Sequence, residues 1–432
     1  MQKLIINKFG PINKCELHIK DFMILIGEQA TGKSIICKSI YFFKSVRDDL
    51  KSYVYGIINN DFNGGDFPTK YIEDLLRNKF NRLFGMREFD CDFTIKYYYN
   101  KNTYLSIKRN RIAKSIIEFE FHDEMKKFID SIRHKAISQH STLKDIDNID
   151  STYYQLEKNK IYLILTKEIN SFFQEDKDIF YIPAGRGLLS LMTNQLLNID
   201  LDSVDYVTGE FLKLIQKQRN IFDPILNKTL IGNTPYMDDI NKEQKEAIKT
   251  ILKGEYYYLD NKEILKIKKD SSLQINYTSS GQQEVLWILN LLQLWIKQKR
   301  NVFVVIEEPE AHLFPKTQKK VIEYISYFFN SNNNQVIIAT HSPYLLTAAN
   351  NLLYAGRVGK NNYENINKII SNKKWLDFDR FDAYLVGADE EQYIRSIVDD
   401  ELEEIIAEEI DGVSDEIRKI YSDIFNMEIE NE

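Results

Sequence analysis

Phe22-Met23-Ile24-Leu25-Ile26-Gly27-Glu28-Gln29-Ala30-Thr31-Gly32-Lys33-Ser34 decides the reading of this chain. The apolar run is short and unbroken, as a buried strand is, and it stops at Gly27. Beyond Ser34, Ile35, Ile36, Ile40 and Phe43 return near helical spacing. Gly27, Glu28, Gln29, Ala30, Thr31, Gly32, Lys33 and Ser34 therefore fit GxxxxGK[ST] between a strand and a helix. In that setting backbone N–H groups and a helix N-terminus surround phosphates. Lys33 is expected on the β- and γ-phosphates as a catalytic contact, and Ser34 on Mg²⁺.

Such a loop needs carboxylates at the end of a buried neighbouring strand. Phe303-Val304-Val305-Ile306-Glu307-Glu308 offers them. Glu307 is expected to hold Mg²⁺ through water, and Glu308, one residue on, to polarise the attacking water. His341 ends a second apolar strand, IIATHS, where a neutral imidazole can donate to a γ-phosphate. Ser279-Ser280-Gly281-Gln282 opens a long helix and reads two ways, as an anion site or as an ordinary serine N-cap. Arg186, in YIPAGRG, also has two readings: an approach to phosphate or to a partner chain, or a solvated arginine in a plain turn. Glu310 and His312 lack a third ligand and are read as helix-capping residues at a seam between chains.

The order of phosphate loop, serine–glycine helix start, acidic strand and histidine strand resembles the ABC-type ATPases of the SMC, RecF and OLD group, within the wider AAA family. The likeness covers about residues 1–45 and 255–350, and rests on GEQATGKS, SSGQQE, VVIEEPEAHLFP and IIATHS. What the resemblance implies is a head that forms a homodimer, or a higher assembly of paired heads, around two ATP molecules. Ser279, Ser280, Gly281 and Gln282 of one chain would close on the γ-phosphate held by Lys33 of the other, and hydrolysis would reopen the pair. The ATPase subunits of PARIS-type and Septu-type anti-phage systems are the resembling examples, which implies a separate, nuclease-like protein effector. Alternatives are a RecF-like or SMC-like ATPase that clamps DNA during repair, and an ATP-bound scaffold with negligible turnover. This chain departs from the transporter pattern at SSGQQ for LSGGQ, at Glu307 for aspartate, and at Phe314 for the D-loop aspartate.

The fold class expected is α/β: an ABC ATPase head with a mostly parallel core sheet, an antiparallel β lobe and an inserted short helical arm. Residues 1–50 and 251–385 are read as the two halves of the head, 51–250 as the inserted meander and arm, and 386–432 as an acidic amphipathic helical tail. In that tail Leu402, Ile405, Ile406, Ile410, Val413, Ile417, Ile420 and Ile424 recur three and four apart. Its apolar face would dock on its own head, on another copy or on a second protein. The stretch beyond the core is too short for a Toprim nuclease, and Asp377, Asp379 and Asp382 are read as a solvated turn.

Composition narrows the classes further. The net charge of -7 hides an asymmetry, since residues 389–432 hold 17 acidic and 3 basic side chains. The remainder is mildly basic, so DNA contact stays open without being demanded. No apolar run spans a bilayer and no export signal opens the chain, so a cytoplasmic protein off the membrane is expected. Three dispersed cysteines form no CxxC pair and read as buried free thiols.

Overall fold

The computed structural model describes residues 2–59, 61, 67–85, 91–109, 117–144, 151–188, 204–223, 242–269, 271–388, 393–406 and 419. Its core is a six-stranded sheet. Strand β3 (Phe22–Ile26) lies between β12 (Gln335–Thr340) and β13 (Phe381–Val386); β11 (Val302–Glu307) and then β7 (Asp178–Ile182) follow β12. These five strands run parallel, and β14 (Ile394–Ser396) closes the β13 edge antiparallel. The α/β class and mostly parallel core are therefore as expected. Every residue of β3, β11 and β12 is buried, which explains why their sequences are continuous apolar runs rather than alternating ones.

One refinement concerns neighbours. The acidic strand β11 does not touch β3; β12 stands between them, so the glutamates reach the phosphate loop across the histidine strand.

A second, antiparallel sheet has the order β2 (Ile12–His18), β1 (Lys3–Phe9), β4 (Phe93–Tyr98), β5 (Tyr104–Arg109), β6 (Ile117–Phe121). The meander read from the middle of the chain thus pairs with residues before the phosphate loop: β1 joins β4 with Ile6 opposite Ile95. Helix α1 (Lys33–Ile58) packs against side chains of both sheets, and 18 of its 26 residues are buried. A helix apolar on nearly all sides needs such cover. The polar groups it buries are paired: Lys44 with Glu175, and Lys79 of α2 (Pro68–Phe84) with Asp49 and Ser45.

The helical arm is the pair α3 (Asp123–Lys144) and α4 (Ser151–Phe173), packed on α1. The opposite face of the core sheet carries the helices Ser280–Lys297, Pro315–Ser331 and Pro343–Gly359, with Trp287 and Trp295 fully buried beneath them. Strands β8 (Glu255–Leu259), β9 (Lys262–Lys268) and β10 (Ser271–Gln274) form a small antiparallel sheet leading to the serine–glycine helix.

The segments read as separate are interleaved in space. Residues 93–121 share a sheet with residues 3–18, and β7, from the stretch read as inserted, is an edge strand of the core. The tail also departs from its helical expectation where it is described. Val398–Asp399 and Glu404–Ile405 form a hairpin; Ile405 is buried and its N–H donates to Asn350 Oδ1 at 2.8 Å, whereas Leu402 is exposed. Docking on the helix Pro343–Gly359 overrides the three-and-four spacing there. Ile410, Val413, Ile417, Ile420 and Ile424 lie outside the described residues. Cys15 and Cys37 are buried, but Cys91 is exposed. No described helix is long and apolar enough to cross a membrane.

Candidate functional site

Gly32 caps α1 with φ 85, the left-handed region that favours glycine, and the first helical turn closes with Ile36 N–H donating to Gly32 O at 3.0 Å. Thr31 Oγ1 donates to Glu28 O at 2.9 Å and braces the loop. Lys33, 6% exposed, folds its ammonium back over the loop, donating to Gly27 O at 2.9 Å and Glu28 O at 2.7 Å. His341 Nδ1 lies 3.5 Å from the same ammonium. Burial lowers the Lys33 pKa, and the carboxylates of Glu308, Glu310 and Glu307 act against that shift.

The loop opens on a cavity of about 340 Å³. Its walls are residues 29–35, Glu307 and Glu308 at the carboxyl end of β11, Ala339 and His341 at the end of β12, and Pro11. Three strand ends therefore converge where open α/β sheets take their ligands. Glu308 has φ 43 and its N–H donates to Ala339 O at 2.7 Å, so a non-glycine residue is held in the left-handed region at the position read as the catalytic carboxylate. Its Oε1 is 3.6 Å from His341 Nε2. An ammonium cannot accept a hydrogen bond, so the Lys33 contact favours a lone pair on Nδ1 and the imidazole proton on Nε2, toward Glu308.

Glu307 is 6% exposed; Oε2 accepts from Ala184 N–H at 3.3 Å, and the buried Tyr181 hydroxyl donates to the same carboxylate. A nearly buried carboxylate lining the same cavity as a phosphate loop and Ser34 suits a hydrated divalent cation. Among the described residues no three His, Cys, Asp or Glu side chains gather into a protein-only metal site. The donors present fit Mg²⁺ carried in by phosphates, which binds through one or two protein groups and keeps its waters.

Ser279 N-caps the helix Ser280–Lys297 in a capping box: Gln282 N–H donates to Ser279 Oγ, and Ser279 N–H donates to Gln282 Oε1 at 3.0 Å. The serine is thus a cap by its own contacts. Ser279 and Ser280 are nevertheless exposed, and the cavity lining contains none of Ser279, Ser280, Gly281 and Gln282. Gly281 is a close approach: a Cβ there would stand 2.6 Å from His312 O and 2.9 Å from the Leu313 side chain. Phe314, next along, is 76% exposed.

Three readings are corrected. Arg186 is neither solvated nor free to reach phosphate or a partner, because its side chain is completely buried. Nη1 donates to Pro183 O and Glu307 O, each at 2.6 Å, Nη2 to Glu308 O at 2.7 Å, and Nε to Glu284 O at 2.8 Å. The Glu284 carboxylate accepts from the N–H groups of Arg186 at 3.0 Å and Gly187 at 2.9 Å. One guanidinium therefore ties the serine–glycine helix to the backbone carrying both glutamates. Glu310 does not cap the following helix, which has no side-chain cap; its Oε1 accepts from Thr340 Oγ1 at 2.6 Å and His341 N–H at 2.8 Å, pinning the histidine strand. Asp377 and Asp379 lie in a short turn as read, but Asp382 is within β13 and accepts from the Tyr384 hydroxyl at 2.6 Å.

Sequence reasoning missed Glu284 and Tyr393, whose hydroxyl donates to Thr31 O at 3.0 Å. No local motif marks them. YIPAGRG was the one available signal, through its place in the chain.

Residues 192–346 match the AAA ATPase domain (AAA_15), a stretch that contains the serine–glycine helix, both glutamates and His341 but not the phosphate loop. Over 91 residues, 21% of its length, the chain is 28% identical to the lipoprotein-releasing system ATP-binding protein LolD of Neorickettsia sennetsu, and it spans 38% of that relative. Solved structures similar to it include an SMC head bound to the C-terminal winged-helix domain of ScpA, at 13% identity and TM-score 0.38, over 81% of this chain and 91% of that one. The SMC head of Thermotoga maritima aligns over 80% of this chain and 90% of its own, at 11% identity and TM-score 0.34.

Proposed function

We propose that the chain binds and hydrolyses ATP with Mg²⁺, that two copies pair around the nucleotides, and that this cycle controls a separate protein effector in anti-phage defence. The observation that carries the catalytic part is the convergence of Lys33, Ser34, Glu307, Glu308 and His341 on one cavity from three strand ends. Lys33 would exchange its loop carbonyls for phosphate oxygens. Glu308, at the exposed rim, takes the proton of the attacking water, and His341, with its Nε2 proton, contacts the γ-phosphate. When bound, Mg²⁺ supplies charge neutralisation of the phosphates, and Ser34 and Glu307 are the residues that hold it.

Pairing is supported by the separation of the two half-sites. Ser279 and Ser280 at the start of this helix are exposed and absent from this chain's own cavity lining, so they are available to a second copy. The effector and defence setting follow the likeness to PARIS-type and Septu-type ATPase subunits, and an output of this kind requires the effector to bind the two nucleotide states differently.

The test is turnover and mass together. Glu308→Gln is expected to lower kcat by 10²-fold or more, roughly the range of general base catalysis, and to hold an ATP-dependent dimer visible by light scattering. Lys33→Ala is expected to abolish ATP binding. Unchanged ATP affinity in Lys33→Ala would remove the site; a monomeric Glu308→Gln at saturating ATP would remove the pairing. Purification of the tagged chain with its neighbouring genes tests the effector: no co-purifying protein in any nucleotide state speaks against it.

A further inference from the structure

Strands β3 and β13 are parallel neighbours, with Ile26 opposite Leu385, so the phosphate loop leaving β3 and the turn leaving β13 emerge side by side at the carboxyl end of the sheet. The two are in close contact. A Cβ on Gly27 would stand 2.2 Å from Val386 O, and one on Gly387 would stand 2.6 Å from Thr31 Cγ2 and 2.9 Å from Thr31 Cβ. Gly387 also has φ 82, in the left-handed region, and its N–H donates to Tyr393 O at 2.7 Å, which closes the turn just before β14. From that position the Tyr393 hydroxyl donates to Thr31 O at 3.0 Å. The ring is partly buried against the core, and burial raises the phenol pKa, so the group is a neutral donor.

The peptide it holds is one the nucleotide reading uses. Thr31 and Gly32 both line the cavity. A planar trans peptide points its N–H opposite to its C=O, so fixing Thr31 O on Tyr393 turns Gly32 N–H away from the β13 side. The Thr31 side chain is engaged elsewhere, with Oγ1 on Glu28 O, and does not do this work. We infer that Tyr393 is a positioning residue for the phosphate loop, its hydroxyl holding the Thr31–Gly32 peptide in the orientation that presents Gly32 N–H to the nucleotide's phosphates. The close approach at Gly387 sets how near the turn can stand. The inference rests on the nucleotide reading above and adds a residue that lies outside every site motif and beyond the stretch matched to the AAA ATPase domain. Tyr393 acts through the backbone of the loop and is not a catalytic residue.

The test uses the full chain and measures calorimetric affinity for the non-hydrolysable analogue adenylyl-imidodiphosphate with Mg²⁺, beside steady-state ATP turnover. Tyr393→Phe keeps the ring and removes the donor. Its Kd for the analogue and its KM for ATP are expected to rise about three- to tenfold, the worth of one hydrogen bond, while kcat at saturating ATP stays within about twofold. Gly387→Ala presses a methyl group on Thr31 through a separate contact and is expected to weaken analogue binding as well; normal binding by this variant would count against the turn. Wild-type Kd and KM in Tyr393→Phe overturn the inference whatever its melting temperature, since a hydroxyl that only braces the fold would lower melting and leave affinity alone. A fall in kcat with KM unchanged overturns it too, because the hydroxyl would then act on the chemistry rather than on the loop. Failure of the underlying reading looks different: wild type itself would then not bind the analogue.

Discussion

Glu308 shows how one backbone position can depend on a distant side chain. Its left-handed φ of 43 is not supported by a glycine; it is supported by its N–H bond to Ala339 O and by Arg186 holding the carbonyls of Glu307 and Glu308. Removing the guanidinium leaves those buried carbonyls and the Glu284 carboxylate short of partners. Arg186→Met is therefore expected to cost about 3–5 kcal/mol of stability, as breaking a buried ion pair does, read as a lower melting temperature. Arg186→Lys keeps the charge but not the planar fork that reaches four carbonyls at once. It is expected to bind ATP normally while kcat falls by about 100-fold, the effect of roughly 1 Å of misplacement at a reacting group. Steady-state turnover beside ATP affinity separates the two effects, and wild-type kcat in the lysine variant would show that the clamp does not set the position of Glu308.

Among the elements, α1 depends most on its polar contacts, because it is enclosed between sheets yet carries Lys44, Arg47 and Asp49. Glu175, just after α4, answers two of these: its carboxylate pairs with Lys44 and its carbonyl accepts from Arg47 Nη1 at 3.0 Å. Burial alone would raise the Glu175 pKa, but Lys44 and Lys177 outweigh it and hold the carboxyl at about 2. A carboxyl depressed in this way contributes stability above its unfolded pKa, about 4.5, and loses that contribution as pH falls toward 2. Glu175→Gln strands a buried lysine and is expected to cost about 3–5 kcal/mol near neutral pH. The difference between wild type and variant in urea melts should shrink as pH drops from 4.5 toward 2. A difference that stays constant over that window would mean that ionised Glu175 is not what holds Lys44.

For the molecule as a whole, the open question is what covers the exposed start of the serine–glycine helix. Tyr277 at 72% and Phe314 at 76% exposed stand before and after the Gly281 approach to residues 312–313, an apolar rim of the kind that marks contact surfaces. Ser280→Arg places a long charged group on this surface, away from the cavity lining. ATP binding should be unchanged, whereas ATP-dependent pairing by light scattering and turnover should both be lost. Turnover at the wild-type rate by a monomeric Ser280→Arg would show that one chain completes its own site.

Much of the candidate site was legible because its signals are local. A buried strand, a glycine-rich turn and a helix start occupy consecutive residues, and so do the apolar run of β11 and its two glutamates. The alternation in β4, β5 and β6 likewise revealed a meander, since residues on one face of a strand recur every second position. The choice of Lys33, Ser34, Glu307, Glu308 and His341, which line one cavity, and the α/β class thus followed from periodicity and spacing. Tertiary structure alone decided that β12 separates β3 from β11, that β1 and β2 complete a sheet with strands some 80 residues later, and that Ile405 docks as a strand. It also decided the contacts of Arg186, Glu284 and Glu310. Their partners are brought together by strand order and helix packing, and a buried hydrogen bond between residues about 100 positions apart leaves no periodicity in the sequence to betray it.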